Sequence, residues 1–119
     1  MRILIADDNE PIRRAVTAIL LADSDCEGCG EAVDGSDVLK KARELLSDVI
    51  LLDISMPGQN GLEAARLLRQ ELPQLKIIII SQHDPIRLLS SAIAAGAHAC
   101  VDKSRLDFDL LSAIESISG

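Results

Sequence analysis

Short, uninterrupted apolar runs rich in branched side chains recur along this chain and constrain its fold more than any other feature. Three of them occupy residues 3–6, 49–52 and 77–80. Runs of this length and composition are typical of parallel strands that are buried on both faces. A weaker run at 99–101 and an alternating segment at 26–32 indicate two further strands, and the alternating one suits a less covered edge position.

Amphipathic segments with the 3.6-residue period of a helix separate these runs. Their apolar faces consist of Ile12, Val16, Ile19 and Leu20; Val38, Ala42, Leu45 and Leu46; Leu62, Ala65, Leu68 and Leu72; Ile86, Leu89 and Ile93; and Leu110, Leu111, Ile114 and Ile117. The candidate N-caps are Asn9, Ser36, Asn60, Asp84 and Asp107. Strand and helix therefore alternate five times, which predicts an open α/β sheet with helices on both faces. We expect one domain, residues 1–119.

The charge balance argues against a nucleic-acid-binding surface. Lys and Arg number 12 and Asp and Glu 19, giving a net charge of −7, whereas a duplex-binding domain needs a basic face. Phe108 is the only aromatic residue among Phe, Trp and Tyr, so stacking platforms for single strands are missing. No apolar run approaches the ~18 residues of a membrane helix, and no secretory signal pattern is visible. We therefore expect a cytoplasmic protein with no membrane contact.

The three cysteines do not indicate a disulfide framework or a metal site. Cys26 and Cys29 form a C-x-x-C, and Cys100 makes the total odd. A zinc site would need a second Cys/His pair at ligand spacing, and the chain has none. Because residues three apart on a strand point to opposite faces, we expect Cys26 and Cys29 to be packing residues.

Polar and charged side chains follow four of the predicted strands. They are, in chain order, Asp7 and Asp8, Asp53, Ser81 and Lys103. Ligands of open α/β sheets bind beyond the carboxyl ends of the strands, so these side chains are expected to converge. Three close carboxylates need compensation, and Mg²⁺ binds carboxylates together with water and a phosphate oxygen. With an ammonium and a hydroxyl added, the set predicts a phosphoryl site whose nucleophile is Asp53.

These residues resemble the pattern of bacterial response-regulator receiver domains over essentially the whole chain. The matching segments are 3–8 (ILIADD), 51–57 (LLDISMP) followed by Asn60 and Gly61, 78–81 (IIIS), and 96–97 leading to 101–103 (VDK). Residues 61–64, Pro73 and 81–84 resemble the subfamily that carries a C-terminal helix-turn-helix domain. The resemblance implies a flavodoxin-like, doubly wound sheet of five parallel strands in the order 2-1-3-4-5.

The resemblance also implies a role for each site residue. Asp53 accepts a phosphoryl group from a phosphohistidine on a sensor histidine kinase or a phosphotransfer protein. The implied Mg²⁺ ligands are Asp8, Asp53 and the backbone carbonyl of Ser55, with Asp7 acting through water. The groups implied to bind the phosphoryl oxygens are Lys103, Ser81 and the backbone N–H groups of Ile54 and Gln82.

The implied output is regulatory. Phosphorylation biases a two-state rearrangement of the fourth helix and fifth strand, and the regulated process is transcription. The chain is then not an enzyme beyond catalysing its own phosphorylation and slow dephosphorylation. A DNA-binding output domain would lie beyond the chain. Members of the family pair with a second copy either through the fourth helix, fifth strand and fifth helix or through the first and last helices.

Two positions depart from the family pattern. Cys100 stands where members usually carry Tyr or Phe, and Gln82 stands where a small residue is common. The large ring that reports phosphorylation in the family is therefore missing, which leaves an adaptor without phosphotransfer as an alternative. A phosphohydrolase would need a cap or an acid two residues after Asp53, where Ser55 stands, and a flavin carrier would need aromatic stacking that Phe108 alone does not provide.

Overall fold

The computed structural model describes residues 1–56, 61–82 and 85–118, the side chains of 85–88 and 118 excepted. Its strands are β1 (Arg2–Ala6), β2 (Glu27–Ala32), β3 (Val49–Asp53), β4 (Lys76–Ser81) and β5 (Ala99–Asp102). The helices are α1 (Glu10–Leu21), α2 (Gly35–Leu45), α3 (Gly61–Glu71), α4 (Pro85–Ala94) and α5 (Leu106–Ser118), with a 3₁₀ turn at Lys103–Arg105.

The five strands form one parallel sheet in the order β2-β1-β3-β4-β5, as predicted. The central strand β3 is buried along its whole length, which explains its uninterrupted apolar sequence. The alternating strand β2 lies at one edge, where one flank has no strand partner among the described residues. Parallel pairing aligns the carboxyl ends of all the strands at one edge of the sheet, so the residues that follow them become neighbours.

Helices cover both faces of the sheet. On one face, α1 and α5 bury Val16, Leu20, Leu110 and Ile114 against β1, β3 and β4. On the other face, α2, α3 and α4 bury mainly small side chains, including Ala42, Ala64, Ala65 and Ala92. The small residues let these helices approach the sheet closely, since packed interiors leave little space unfilled.

Helix starts follow capping chemistry, with two corrections to the predicted caps. Asn9 caps α1 as predicted, since its side chain accepts the Ile12 N–H at 3.2 Å. Ser36 is not the cap of α2: Asp34 accepts the Asp37 N–H at 2.9 Å, because a carboxylate is the stronger acceptor there. Asp107 lies in the first turn of α5, which begins at Leu106. The predicted caps Asn60 and Asp84 lie outside the described residues.

The cysteines are all free, and each is partly buried. Cys26 packs with the core on the α1/α5 face and Cys29 with the core on the opposite face. The two thiols therefore cannot act together as a redox pair or chelate, as their spacing on a strand predicts. Burial raises the pKa of all three thiols, which keeps them in the less reactive neutral form.

Over the described stretches of the chain, none of the helices combines the length and the apolarity that a bilayer crossing requires.

Candidate functional site

Three carboxylates meet at the carboxyl edge of the sheet. Asp7 and Asp8 follow β1, and Asp53 is the last residue of β3; Ala6 pairs with Leu52, so the two strands end level. One oxygen from each carboxylate lies within 4.8 Å of the others. Asp7 and Asp53 are buried, whereas Asp8 is exposed. This cluster of two buried carboxylates and one exposed carboxylate is called the acidic pocket below.

Lys103 brings a positive charge into this pocket from two strands away. Its Nζ lies 2.9 Å from Asp7 Oδ2 and 3.2 Å from Asp53 Oδ1, and its side chain is 8% exposed. Asp102 caps the 3₁₀ turn that carries Lys103, because its Oδ1 accepts the Ser104 N–H at 2.8 Å. The cap fixes the direction in which the chain leaves β5, and so the placement of the ammonium.

The pKa values of the buried groups reflect both burial and charge. Burial, supported by the negative charge of Asp7, raises the pKa of Asp53 above its ordinary value, although the Ser55 N–H and Lys103 act in the other direction. For Lys103, burial alone would lower the pKa, but Asp7 and Asp53 together outweigh it and raise the pKa. Lys103 therefore carries a fixed positive charge, and the carboxylates are under-compensated.

The carboxylate oxygens differ in how fully they are satisfied. Asp53 Oδ1 accepts the Ser55 N–H at 3.2 Å, and Asp7 Oδ1 accepts the Asn9 N–H at 2.9 Å. Asp7 Oδ2 is buried and, apart from its ion pair with Lys103, receives no hydrogen bond from the described residues. A buried carboxylate oxygen whose one close partner among the described residues is a shared ammonium is under-satisfied, and it fits a site built to receive a hard cation beside hydrated ligands.

The remaining predicted residues lie at the ends of β3 and β4, on the same edge of the sheet. Ser81 is fully buried at the end of β4, next to β3, and Gln82 follows it on the surface. The backbone N–H of Ile54 donates to the Ile80 carbonyl at 3.2 Å. To bind a phosphoryl oxygen, the Ile54 N–H would have to give up its hydrogen bond to the Ile80 carbonyl.

Two further residues hold the backbone of the site: Gly61, which the sequence analysis names only within the matching family segments, and Arg13, which it does not name. A Cβ on Gly61 would lie 2.5 Å from Ile54 Cα and 2.7 Å from the Asp53 carbonyl oxygen, so only glycine allows α3 to approach this closely. Arg13 donates to the Asp7 carbonyl at 2.8 Å. A positive charge in the first turn of a helix is unfavourable for the helix dipole, and this local conflict is the signal that could have identified Arg13.

Comparison with known proteins gives one consistent family. The chain matches the response regulator receiver domain family over residues 3–115. It is 37% identical over 118 residues to the response regulator GacA of Pseudomonas viridiflava, covering 91% of this chain and 55% of that protein. It is 34% identical to the transcriptional regulatory protein YxjL of Bacillus subtilis, covering 98% of this chain and 53% of YxjL. The chain thus spans about half the length of these curated relatives.

Solved structures give the same fold. A two-component response regulator of the LuxR family from Aurantimonas superposes with a TM-score of 0.91 at 30% identity, over 98% of this chain and 83% of that one. The signal receiver domain of NarL from Mycobacterium tuberculosis superposes with a TM-score of 0.90 at 28% identity, over 98% of this chain and 94% of that one.

Proposed function

The chain belongs to the response-regulator receiver domain family, and from that membership we propose that Asp53 accepts a phosphoryl group from a phosphohistidine of a sensor kinase or phosphotransfer protein. The observation that carries the proposal is the position of Asp53. It is a buried carboxylate at the end of the central strand, in contact with an ammonium and beside two further carboxylates.

In the proposed transfer, a carboxylate oxygen of Asp53 forms a bond to phosphorus while the P–N bond of the phosphohistidine breaks. The electron pair of that bond returns to the imidazole nitrogen of the donor. Lys103 stays protonated throughout and neutralises negative charge that accumulates on the phosphoryl oxygens. Ser81 offers its hydroxyl to the same oxygens, and the Ile54 and Gln82 N–H groups complete the set of donors.

We assign Mg²⁺ as the cofactor because the donor set consists of carboxylates and a carbonyl, the ligands that a hard cation prefers. Asp8, Asp53 and the Ser55 carbonyl would hold it, with Asp7 acting through water. When bound, the cation supplies positive charge that brings the anionic donor close to the carboxylates. The ion pair between Asp7 and Lys103, 2.9 Å long, keeps the ammonium oriented towards Asp53.

The relatives support a proposal for the wider role. The named relatives are transcriptional or response regulators about twice as long as this chain. We therefore propose that this receiver controls a DNA-binding output domain. We also propose that the protein is cytoplasmic and can pair with a second copy. In this proposal the receiver itself makes no nucleic-acid contact, in keeping with its net charge of −7. Its chemistry is limited to its own phosphorylation and dephosphorylation.

The test is incubation with Mg²⁺ and acetyl phosphate, followed by intact-mass measurement in acid, where an acyl phosphate survives. The wild-type protein and an Asp25→Asn control, which removes an exposed carboxylate elsewhere, should gain one phosphoryl group. Asp53→Asn should gain none. No gain in the wild type, with acetyl phosphate or with a cognate kinase, would overturn the proposal and favour the adaptor alternative.

A further inference from the structure

Arg13 and Arg14 are adjacent in the first half of α1 but differ sharply in environment. The side chain of Arg14 is 77% exposed and pairs with Glu10 one turn earlier on the same helix. The side chain of Arg13 is only 15% exposed. Burying an arginine is costly unless its donors are used, so the contacts of Arg13 call for a specific explanation.

The guanidinium of Arg13 turns back towards the start of its helix. Its Nη1 donates to the backbone carbonyl of Asp7 at 2.8 Å, and its Nε donates to Glu31 Oε1 on β2 at 3.1 Å. Arg13 therefore connects α1, the loop after β1 and the edge strand β2. The planar guanidinium presents donors in a fixed geometry, which a lysine cannot reproduce.

The carbonyl that Arg13 binds belongs to the peptide unit joining Asp7 to Asp8. The Asp7 N–H is held by the Ala32 carbonyl at 3.0 Å, so the residue is fixed on both sides. The Asp8 carboxylate, in contrast, makes no hydrogen bond or ion pair with the described residues. The position of Asp8 therefore depends on its backbone, which is held by Arg13 at the Asp7 carbonyl and by the Asn9 N–H bond to Asp7 Oδ1.

The charge of Arg13 does not explain its placement. Glu31 Oε1 lies 3.1 Å from its Nε, so the two side chains form a pair without net charge. What remains is geometric, because a directional hydrogen bond sets the plane of one peptide. We propose that Arg13 is a positioning residue that sets Asp8 relative to Asp7 and Asp53 for cation binding, an inference that rests on the proposed function above.

The experiment compares Arg13→Met with Arg14→Met, since both replacements keep a long apolar stem and a high helix propensity. Mg²⁺ affinity is measured by calorimetry, and the Asp8 amide is followed by NMR. Arg13→Met should weaken Mg²⁺ binding about tenfold, the low end for loss of a group that orients a metal ligand. Arg14→Met should stay within about twofold, as expected for an exposed pair.

A merely structural role would give a different result. If Arg13 positions Asp8, the Arg13→Met protein should approach the wild-type phosphorylation level once Mg²⁺ is raised to saturation, and the Asp8 amide shift should move before any cation is added. Unchanged Mg²⁺ affinity in Arg13→Met, alongside a loss of unfolding free energy, would overturn the inference.

Two further variants keep the inference testable if Arg13→Met does not fold. Glu31→Gln removes the charge of the second anchor of the guanidinium but keeps an acceptor oxygen, so it should weaken Mg²⁺ binding by less than tenfold. Arg13→Lys keeps the positive charge but loses the fixed fork of the guanidinium, and it should also weaken binding by less than tenfold. Wild-type affinity in both variants would contradict the positioning role. A wild-type protein that binds no Mg²⁺ and accepts no phosphoryl group would instead overturn the proposed function itself.

Discussion

The ammonium of Lys103 lies 3.2 Å from Oδ1 of Asp53, and both side chains are almost completely shielded from solvent. The same ammonium lies 2.9 Å from Asp7 Oδ2, so within the described part of the chain one positive charge serves two buried carboxylates, and the exposed carboxylate of Asp8 is a third. This deficit of positive charge is the physical reason to expect a divalent cation, and it leads directly to two predictions.

Mg²⁺ should stabilise the folded protein through this pocket. At a concentration about 100 times its Kd, a ligand that binds only the native state raises the unfolding free energy by about 2.7 kcal/mol. Urea unfolding followed by far-UV circular dichroism, with Mg²⁺ or with a chelator, measures the difference. Asp8→Asn should lose most of the gain, while Asp25→Asn should keep it; an undiminished gain in Asp8→Asn would place the cation elsewhere.

Removing the ammonium should be costly in the absence of metal. Lys103→Met leaves Asp7 and Asp53 as buried like charges, and breaking a buried pair from one side costs about 3–5 kcal/mol. The matched control is Lys40→Met, which removes an exposed ammonium from α2 and should change stability by less than about 0.5 kcal/mol. Adding Asp7→Asn to Lys103→Met should recover part of the loss. Equal stability of Lys103→Met and wild type would contradict the charge argument.

The sequence predicts the sheet well because its central strands are buried on both faces, which leaves runs such as 49–52 and 77–80 without a polar residue. It also predicts that Asp7, Asp8, Asp53 and Lys103 converge, because parallel strands end at the same edge. The N-cap of α2 was assigned wrongly because Asp34 and Ser36 are both good caps and lie two residues apart.

The supporting contacts could not be predicted in the same way. The partner of Arg13 is a backbone carbonyl, which leaves no mark on the sequence, and its other partner is Glu31, 18 residues away. The close approach of Gly61 to Ile54 depends on how α3 packs against the end of β3. Such contacts are fixed by tertiary packing, so local patterns carry little information about them.

Gly61→Ala should displace the backbone that carries Asp53. The new Cβ would lie 2.5 Å from Ile54 Cα, and forcing a backbone shift in a packed region costs about 1–3 kcal/mol. The higher helix propensity of alanine stabilises the protein by at most about 1 kcal/mol. The substitution should therefore lower the unfolding free energy overall, and it should also weaken Mg²⁺ binding. Urea unfolding and calorimetry measure the two effects.

The matched control for this substitution is Gly28→Ala on β2. A Cβ at Gly28 meets no atom within 4 Å, so the unfolding free energy should stay within about 0.5 kcal/mol of wild type. If Gly61→Ala behaved like Gly28→Ala in both stability and Mg²⁺ affinity, the close approach of α3 would not be what positions Asp53.

His98 lies at the opposite end of the sheet from the acidic pocket. Its imidazole should make the unfolding free energy depend on pH. Its Nδ1 accepts the Ile77 N–H at 3.1 Å, where β4 begins. Burial, followed by the charges of Lys76 and Arg69, lowers the pKa of His98 below its ordinary value of 6.5. The neutral ring is therefore favoured by folding, so its contribution to stability is present above the ordinary pKa and is lost as the pH falls through the lowered one.

Replacing the ring with a neutral acceptor should remove this pH dependence. In His98→Asn, the amide oxygen can accept the Ile77 N–H but does not titrate. Between about pH 7.5 and pH 5.5, where histidine titrates, the wild type should lose more unfolding free energy than His98→Asn, by a small amount because the ring is exposed. Urea unfolding at both pH values measures this difference, and an NMR titration gives the pKa of the ring directly. A His98 pKa at or above its ordinary value, together with parallel pH profiles, would show that the ring does not hold the Ile77 N–H in its neutral form.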